Sequence, residues 1–157
     1  MPRESVSTED IGPAAPERLV DLLERIVIGG VGLTTLALDR AVDGPDLTFP
    51  QWRVILVVGE SDDGTTISAV AARVGVTVPA TSRQLRRLAE RGLVALEAHD
   101  RDRRSIRVRL TEDGARVRAE ILGQRRTRLA DIAAAHPMAV ATIDELAALA
   151  DAFERFA

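Results

Sequence analysis

Residues 77–110, TVPATSRQLRRLAERGLVALEAHDRDRRSIRVRL, change periodicity halfway. Up to Arg91 the apolar positions recur at helical spacing, so Leu85, Leu88 and Ala89 share a face. From Val94 the spacing becomes two: Val94, Leu96 and Ala98, then Ile106, Val108 and Leu110. This predicts a helix running into two strands joined by the charged tip HDRDRR at 99–104. Arginine is concentrated here. Arg83, Arg86, Arg87 and Arg91 lie on the helix, Arg101, Arg103 and Arg104 at the tip, and Arg107 and Arg109 on the second strand, with Arg73 just upstream. A short basic helix followed by a basic-tipped hairpin suits a winged-helix DNA reader.

The segment before it supplies the other half of such a reader. Ser61-Asp62-Asp63-Gly64 is a turn, and Thr65–Ile67 suits a short strand. Ser68 is the expected cap of a helix over 69–74. Gly75 permits a sharp turn, Val76 is expected to point to the core, and Thr77 caps the next helix. Two short helices around a glycine turn form a helix-turn-helix. Upstream again, Thr48 and Gln51 form a T-x-x-Q capping box for a helix over 49–59, with Pro50 in its first turn. Its apolar positions are Trp52, Ile55, Leu56 and Val58, and Trp52 reads as a core residue.

Long helices flank this unit. One is expected over about 17–42, with Leu19, Leu22, Leu23, Ile26, Val27, Leu33 and Leu36 apolar and Gly29, Gly30 and Gly32 in its middle. Each glycine costs about 1 kcal/mol against alanine in a helix interior. Close approach of a partner helix, a kink, or a break into two helices would each account for them. Asp43-Gly44-Pro45 ends the element. After the hairpin, Thr111 caps a helix to about Ala135, with Glu112 and Asp113 at its positive end. Pro137 breaks it, and a last helix over about 138–156 carries Val140, Ile143, Leu146, Leu149 and Phe153. The fold class is therefore mainly α with a small β-hairpin wing. We divide the chain into a mobile tail (1–15), a helical dimerisation region (16–46 and 112–157) and a winged helix-turn-helix (47–111). The terminal apolar faces exceed what a small winged core needs, so Leu19, Leu22, Leu23, Ile26, Leu146, Leu149 and Phe153 are the candidate dimer interface. The alternative is that they close the monomer's own core.

Composition and charge sharpen this. At 157 residues the chain is one domain, or one small domain with added helices. It is 46% hydrophobic but only 3% aromatic, so its core must be aliphatic. With no cysteine there is no disulfide framework and no thiolate metal site, and two histidines are too few for a histidine-rich one. The apolar run 26–38 is too short for a membrane span, and the N-terminus does not read as a secretory signal, so a cytoplasmic protein is expected. The net charge of −3 is segregated. Residues 73–128 hold fifteen arginines against seven acids, or +8, while the remainder holds six against seventeen, or −11. Such a distribution fits a polyanion-binding face on an acidic body.

Reading duplex DNA needs a narrow element in the major groove. On the helix 78–91 the inward face is Leu85, Leu88 and Thr81, which leaves Pro79, Ser82, Arg83, Arg86 and Arg87 pointing away. Arginine can bond a guanine edge through two parallel hydrogen bonds, and serine or threonine can meet a base or a phosphate. Arg83 and Ser82 rank first for base contact, then Arg86, while Arg87 suits phosphate; Thr77 and Thr81 complete the candidate set. At the tip, Arg101, Arg103 and Arg104 alternate with Asp100 and Asp102. An arginine there can enter a narrow minor groove, and Asp102 can hold one of them extended by a charge-assisted bond. A solvated helix face and a polar loop are the plainer readings of the same residues.

Residues 67–114 also resemble the MarR family of bacterial transcriptional regulators. The matching features are Ile67-Ser68-Ala69-Val70-Ala71, Arg87-Leu88-Ala89-Glu90-Arg91-Gly92-Leu93-Val94, Asp102-Arg103-Arg104 and Leu110-Thr111-Glu112-Asp113-Gly114. The resemblance implies a dimer whose first and last helices pack together with the readers between them. It implies that Arg104 enters the minor groove and that Asp102 orients it. It further implies a small, often aromatic or phenolic, anion bound near Trp52, Ile55, Gly30 and Arg86. Two features depart from the family pattern. Ala95 and Leu96 stand where a basic residue is common, and the glycine cluster in the first helix is unusual.

The expected function is therefore a sequence-specific double-stranded-DNA regulator, read as a repressor, binding an inverted repeat as a homodimer. The alternative is a winged-helix module that binds another protein, which would not need +8 across the reader. An enzyme is not expected: there is no cysteine nucleophile, no Gly-rich phosphate loop and no G-x-S-x-G, and neither His99 nor His136 has a metal-ligand partner at i+3 or i+4. No cofactor or metal is implied.

Overall fold

The computed structural model describes residues 15–40, 46–99 and 102–156. The elements run α1 (Ala15–Asp39), α2 (Phe49–Val58), β1 (Thr65–Thr66), α3 (Ile67–Val74), α4 (Val78–Glu90), β2 (Val94–His99), β3 (Asp102–Leu110), α5 (Glu112–Ala135) and α6 (Val140–Phe156). The expected tail at 1–15 falls, save for Ala15, outside the described residues. The chain is mainly helical with one small antiparallel sheet, as expected from its patterning.

Local chemistry sets most of these boundaries. Thr48 begins α2 with both halves of the capping box: its hydroxyl accepts from Gln51 N–H, and its own N–H donates to Gln51 Oε1 at 3.0 Å. Thr77 caps α4 and Thr111 caps α5 in the same way. For α3 the cap is Thr66 rather than Ser68, and the helix therefore starts at Ile67, two residues earlier than expected. Gly75 ends α3 at φ 68°, a left-handed conformation glycine adopts freely, and its N–H bonds Ala71 and Ala72 carbonyls. Val76 then faces outward, 47% exposed, instead of entering the core. The turn aims its side chain away from the packed face that helical spacing alone would have assigned it.

The sheet order is β1-β3-β2, so the short strand before α3 pairs with the second wing strand. Thr65 sits opposite Val108, and Leu96 opposite Val108 on the other side. The ladder shifts register between Ala98 and His99, where the hairpin approaches its tip.

One aliphatic core lies between the reader's helices, the sheet and the start of α5. Trp52, Ile55 and Val58 from α2 meet Val70 and Val74 from α3, Leu85 and Leu88 from α4, Val108 from β3, and Val117 and Ile121 from α5. Full burial of such side chains stabilises by about 1.5–3 kcal/mol each. Outside it, α1 lies along α5, with Ala37 reaching the core. α1 runs unbroken through Gly29, Gly30 and Gly32, so of the three accounts of these glycines the break into two helices does not hold, and an added Cβ at any of them meets nothing within 4 Å among the described residues. Thr34 and Thr35 donate their hydroxyls to the carbonyls of Gly30 and Val31, at 2.9 and 3.1 Å. α6 has no substantial packing against any other described element.

Candidate nucleic-acid interface

α4 is the element on which the site is built. Leu85 and Leu88 turn inward, wholly buried, and fix its orientation on α2 and α3. The opposite face presents Pro79, Arg83, Arg86 and Glu90, all exposed, with Arg87 beside them. This stripe is a product of spacing: positions 79, 83, 86 and 90 recur at four, three and four. Arg86 Nη2 donates to Ser82 Oγ at 3.3 Å, so Arg86 is drawn back along the helix toward its N-terminal end. That end carries the orphan N–H groups and the positive pole of the helix dipole, which favour a phosphate.

Thr77 sits at this end as the N-cap, exposed, its hydroxyl accepting from Ala80 N–H at 3.4 Å. Thr81 does not join the interface. It is wholly buried and donates its hydroxyl to Thr77 O at 3.2 Å, so its side chain braces the first turn from inside. Ser82 is half-buried at the edge of the stripe.

Two side chains absent from the expected set stand at the leading edge. Val76 and Val78 are 47% and 45% exposed, beside Pro79. Apolar groups there suit the methyl of thymine, which protrudes into the major groove. The signal that could have found them was their place before the first core residue of α4. Glu90 is a further omission: an acid at the far end of the arginine stripe. Arg73, the first arginine of the basic segment, pairs with Glu60 at 2.9 Å.

The hairpin is joined to α4 through a tight junction. Gly92 has φ 72°, and Leu93 N–H returns to Leu88 O at 2.9 Å. Thr111 locks the junction from the far side of the hairpin. Its hydroxyl donates to Gly92 O at 2.6 Å while accepting from Gly114 N–H at 3.0 Å, and its N–H bonds Leu93 O at 3.1 Å. Of the tip residues, Arg101 lies outside the described residues. Asp102, Arg103 and Arg104 open β3, and their side chains also lie outside the described residues. On β3 itself, Arg109 is exposed and Arg107 half-buried.

A second feature lies under α1. A cavity of about 250 Å³ is lined by Val27 and Gly30 of α1, Phe49, Trp52 and Arg53 of α2, and Arg125 of α5. Of the four residues expected near a small anion, Trp52 and Gly30 line this cavity together. Ile55 and Arg86 do not. Ile55 is wholly buried in the core, one helical turn further along α2, and Arg86 belongs to the outer face of α4. The cations at this cavity are Arg53 and Arg125, which sequence spacing does not bring together. Trp52 Nε1 is buried without a hydrogen-bond partner among the described residues.

The candidate dimer residues remain largely uncovered. Leu19, Leu22, Ile26, Leu146 and Phe153 are 42–62% exposed, and Leu23 and Leu149 are half-buried. Val140 and Ile143 of α6 and Leu129 and Ile132 of α5 are further exposed apolar side chains. No group of histidine and acidic residues able to hold a metal ion occurs among the described residues. Among them, no helix is long and apolar enough to cross a membrane.

Comparison with known proteins points the same way. Residues 46–105 match the MarR family. The HTH-type transcriptional regulator PetP of Rhodobacter capsulatus is 35% identical over 104 residues, which cover 66% of this chain and 62% of that protein. The match thus spans less than two thirds of this relative's length. Among solved structures, RV1404 from Mycobacterium tuberculosis superposes with a TM-score of 0.74 at 24% identity, covering 91% of this chain and 97% of its own. Staphylococcus aureus MarR, solved in complex with salicylate and kanamycin, gives 0.76 at 15% identity over 92% and 93%. At these identities the structures establish a shared fold.

Proposed function

We propose that the chain is a member of the MarR family and a sequence-specific regulator of transcription that binds double-stranded DNA, acting in the cytoplasm as a homodimeric repressor on an inverted repeat. The observation that carries this reading is the exposed stripe Pro79, Arg83 and Arg86 on a helix whose other face is wholly committed to the core. A rigid helix with two arginines free of protein carboxylates among the described residues has the geometry for major-groove readout. Residues 47–111 form the reader, with Arg104 as the minor-groove arginine of the wing and Asp102 as its orienting partner.

One helix of this length reads only a few bases, so specificity requires two copies with half-sites about one turn of DNA apart. The uncovered apolar faces of α1 and α6 support pairing through the region 16–46 and 112–157. The cavity bearing Arg53 and Arg125 suits a small aromatic or phenolic carboxylate, and the salicylate bound to the S. aureus relative is of that chemistry. Such a ligand releases DNA only if it favours a dimer shape that DNA does not.

Selection of bound sequences from a random duplex library, with sedimentation of the free protein, tests the reading. An inverted repeat should emerge, the protein should sediment as a dimer, and roughly 6–10 phosphate contacts should give a log–log salt slope of about −5 to −9. A monomer selecting no sequence would overturn it.

A further inference from the structure

Arg91 is the one arginine of the α4 segment that turns inward. It lies three residues after Leu88 and seven after Gln84, so it falls on their face and not on that of Arg83 and Arg86. It is half-buried. Its Nη1 donates to Gln51 Oε1 at 3.3 Å, across 40 residues of sequence. Gln51 is itself buried and preoriented, because the same oxygen accepts Thr48 N–H in the α2 capping box. The bond therefore joins the first turn of α2 to the residue at which α4 ends. That residue is also the last before Gly92, where the chain turns into the wing.

From this we infer that Arg91 and Gln51 are positioning residues for DNA recognition: their bond sets the angle at which α4 and the wing leave the core, and Arg91 is not a phosphate contact. Packing at Leu85, Leu88 and Ala89 fixes the depth of α4, but apolar contacts are non-directional and leave it freedom to roll. A directional bond at its C-terminal end removes that freedom. The inference rests on the DNA-binding reading, which the wild-type protein tests first.

The experiment measures affinity for the selected duplex and for a scrambled one, each over a salt series, after thermal unfolding has confirmed that every variant folds. Arg91→Ala should weaken the selected duplex by about tenfold, the loss typical of a hydrogen bond to a charged group. Affinity for the scrambled duplex and the salt slope should stay unchanged. Gln51→Leu should reproduce this, and the double variant should bind no worse than either single one. Gln51→Glu keeps both the cap and an acceptor for Arg91, so it should bind like wild type. Thr48→Val removes the cap hydroxyl alone. It should lower stability without lowering specificity, which separates positioning from a merely structural role. A salt slope reduced by about one, with equal loss on both duplexes, would make Arg91 a phosphate contact and overturn the inference. Unchanged binding by Arg91→Ala would overturn it too. If the wild-type protein selects no sequence, the DNA-binding reading fails, and this role with it.

Discussion

Gly114→Ala and Gly123→Ala make the same chemical change on one helix, and the structure gives them opposite signs. A Cβ at position 114 would lie 1.9 Å from Leu93 O and 2.9 Å from Leu93 C, and these are backbone atoms that cannot swing aside. Side-chain carbons do not approach other heavy atoms within 3.0 Å, so α5 and the junction must separate by at least the 1.1 Å between 1.9 and 3.0 Å. That displacement breaks the bonds tying Thr111 to Gly92 and Leu93, now 2.6 and 3.1 Å long. Overpacking costs about 1–3 kcal/mol, and each lost bond about 0.5–1.5 kcal/mol. Alanine returns about 1 kcal/mol of helix propensity. The net loss is about 1–5 kcal/mol, or roughly 2–20 °C in Tm for a chain of this size. At position 123 a Cβ meets nothing within 4 Å among the described residues, so propensity acts alone and stability should rise by about 0.5–1 kcal/mol. Thermal melts by circular dichroism at one protein concentration measure both, with the concentration held because pairing of subunits would shift Tm. A Gly114→Ala protein melting with the wild type would refute the packing argument, as would equal losses at the two positions.

Three further predictions concern function. Arg83→Ala should relax the selected sequence at one base pair per half-site, at about 1–3 kcal/mol; a uniform loss over all sequences would assign Arg83 to phosphate instead. Arg104→Ala should weaken operator binding markedly while leaving the melting temperature in place, and unchanged affinity in a gel-shift titration would remove Arg104 from the wing's role. Leu146→Asp places a charge on the uncovered face of α6, where Leu146 is 42% exposed. Sedimentation should show a monomer with weakened binding to the inverted repeat, and a persistent dimer would move the interface elsewhere.

Features set by neighbours in sequence were legible without coordinates. The threonines at 48, 77 and 111 are marked as caps by the residues within three positions downstream, and all three are caps. The switch from helical to alternating spacing located α4 and the hairpin for the same reason. Errors came where a side chain's direction depends on a turn or on the tertiary surround. Val76 has core chemistry, but the turn after Gly75 faces it outward. Thr81 falls on the inner face, as its spacing predicts, and its hydroxyl is satisfied within the helix, so only its place among the DNA-contacting candidates drops out. Ile55 and Trp52 lie on the same helix, and only α1 and α5, packed over one side of it, decide that Trp52 lines a cavity and Ile55 does not. Arg53 and Arg125 are 72 positions apart, a pairing no periodicity reports. The glycines of α1 carry a propensity penalty that no close contact among the described residues explains.

The two family-like stretches, Arg87–Val94 and Leu110–Gly114, are separate in sequence but form one knot in space. Gly92 must be left-handed to reverse the chain, which presents its carbonyl to Thr111. Thr111 can take that bond only because it caps α5, which places its hydroxyl between Gly92 O and Gly114 N–H. Gly114 must lack a Cβ because Leu93 O occupies its place, and Leu93 is held there by Leu88. Each residue therefore has a reason that lies in the other stretch. The arrangement ties the end of α4, the root of the wing and the start of α5 into a single joint. If α5 belongs to the dimer region as proposed, any change in how two subunits pack reaches the reader through this joint, because α5 cannot tilt at its N-terminus without moving Gly92 and Leu93. On that proposal the spacing of two recognition helices would be set by the angle of α5, and a ligand of the proposed kind beside Arg125 would act on the same lever.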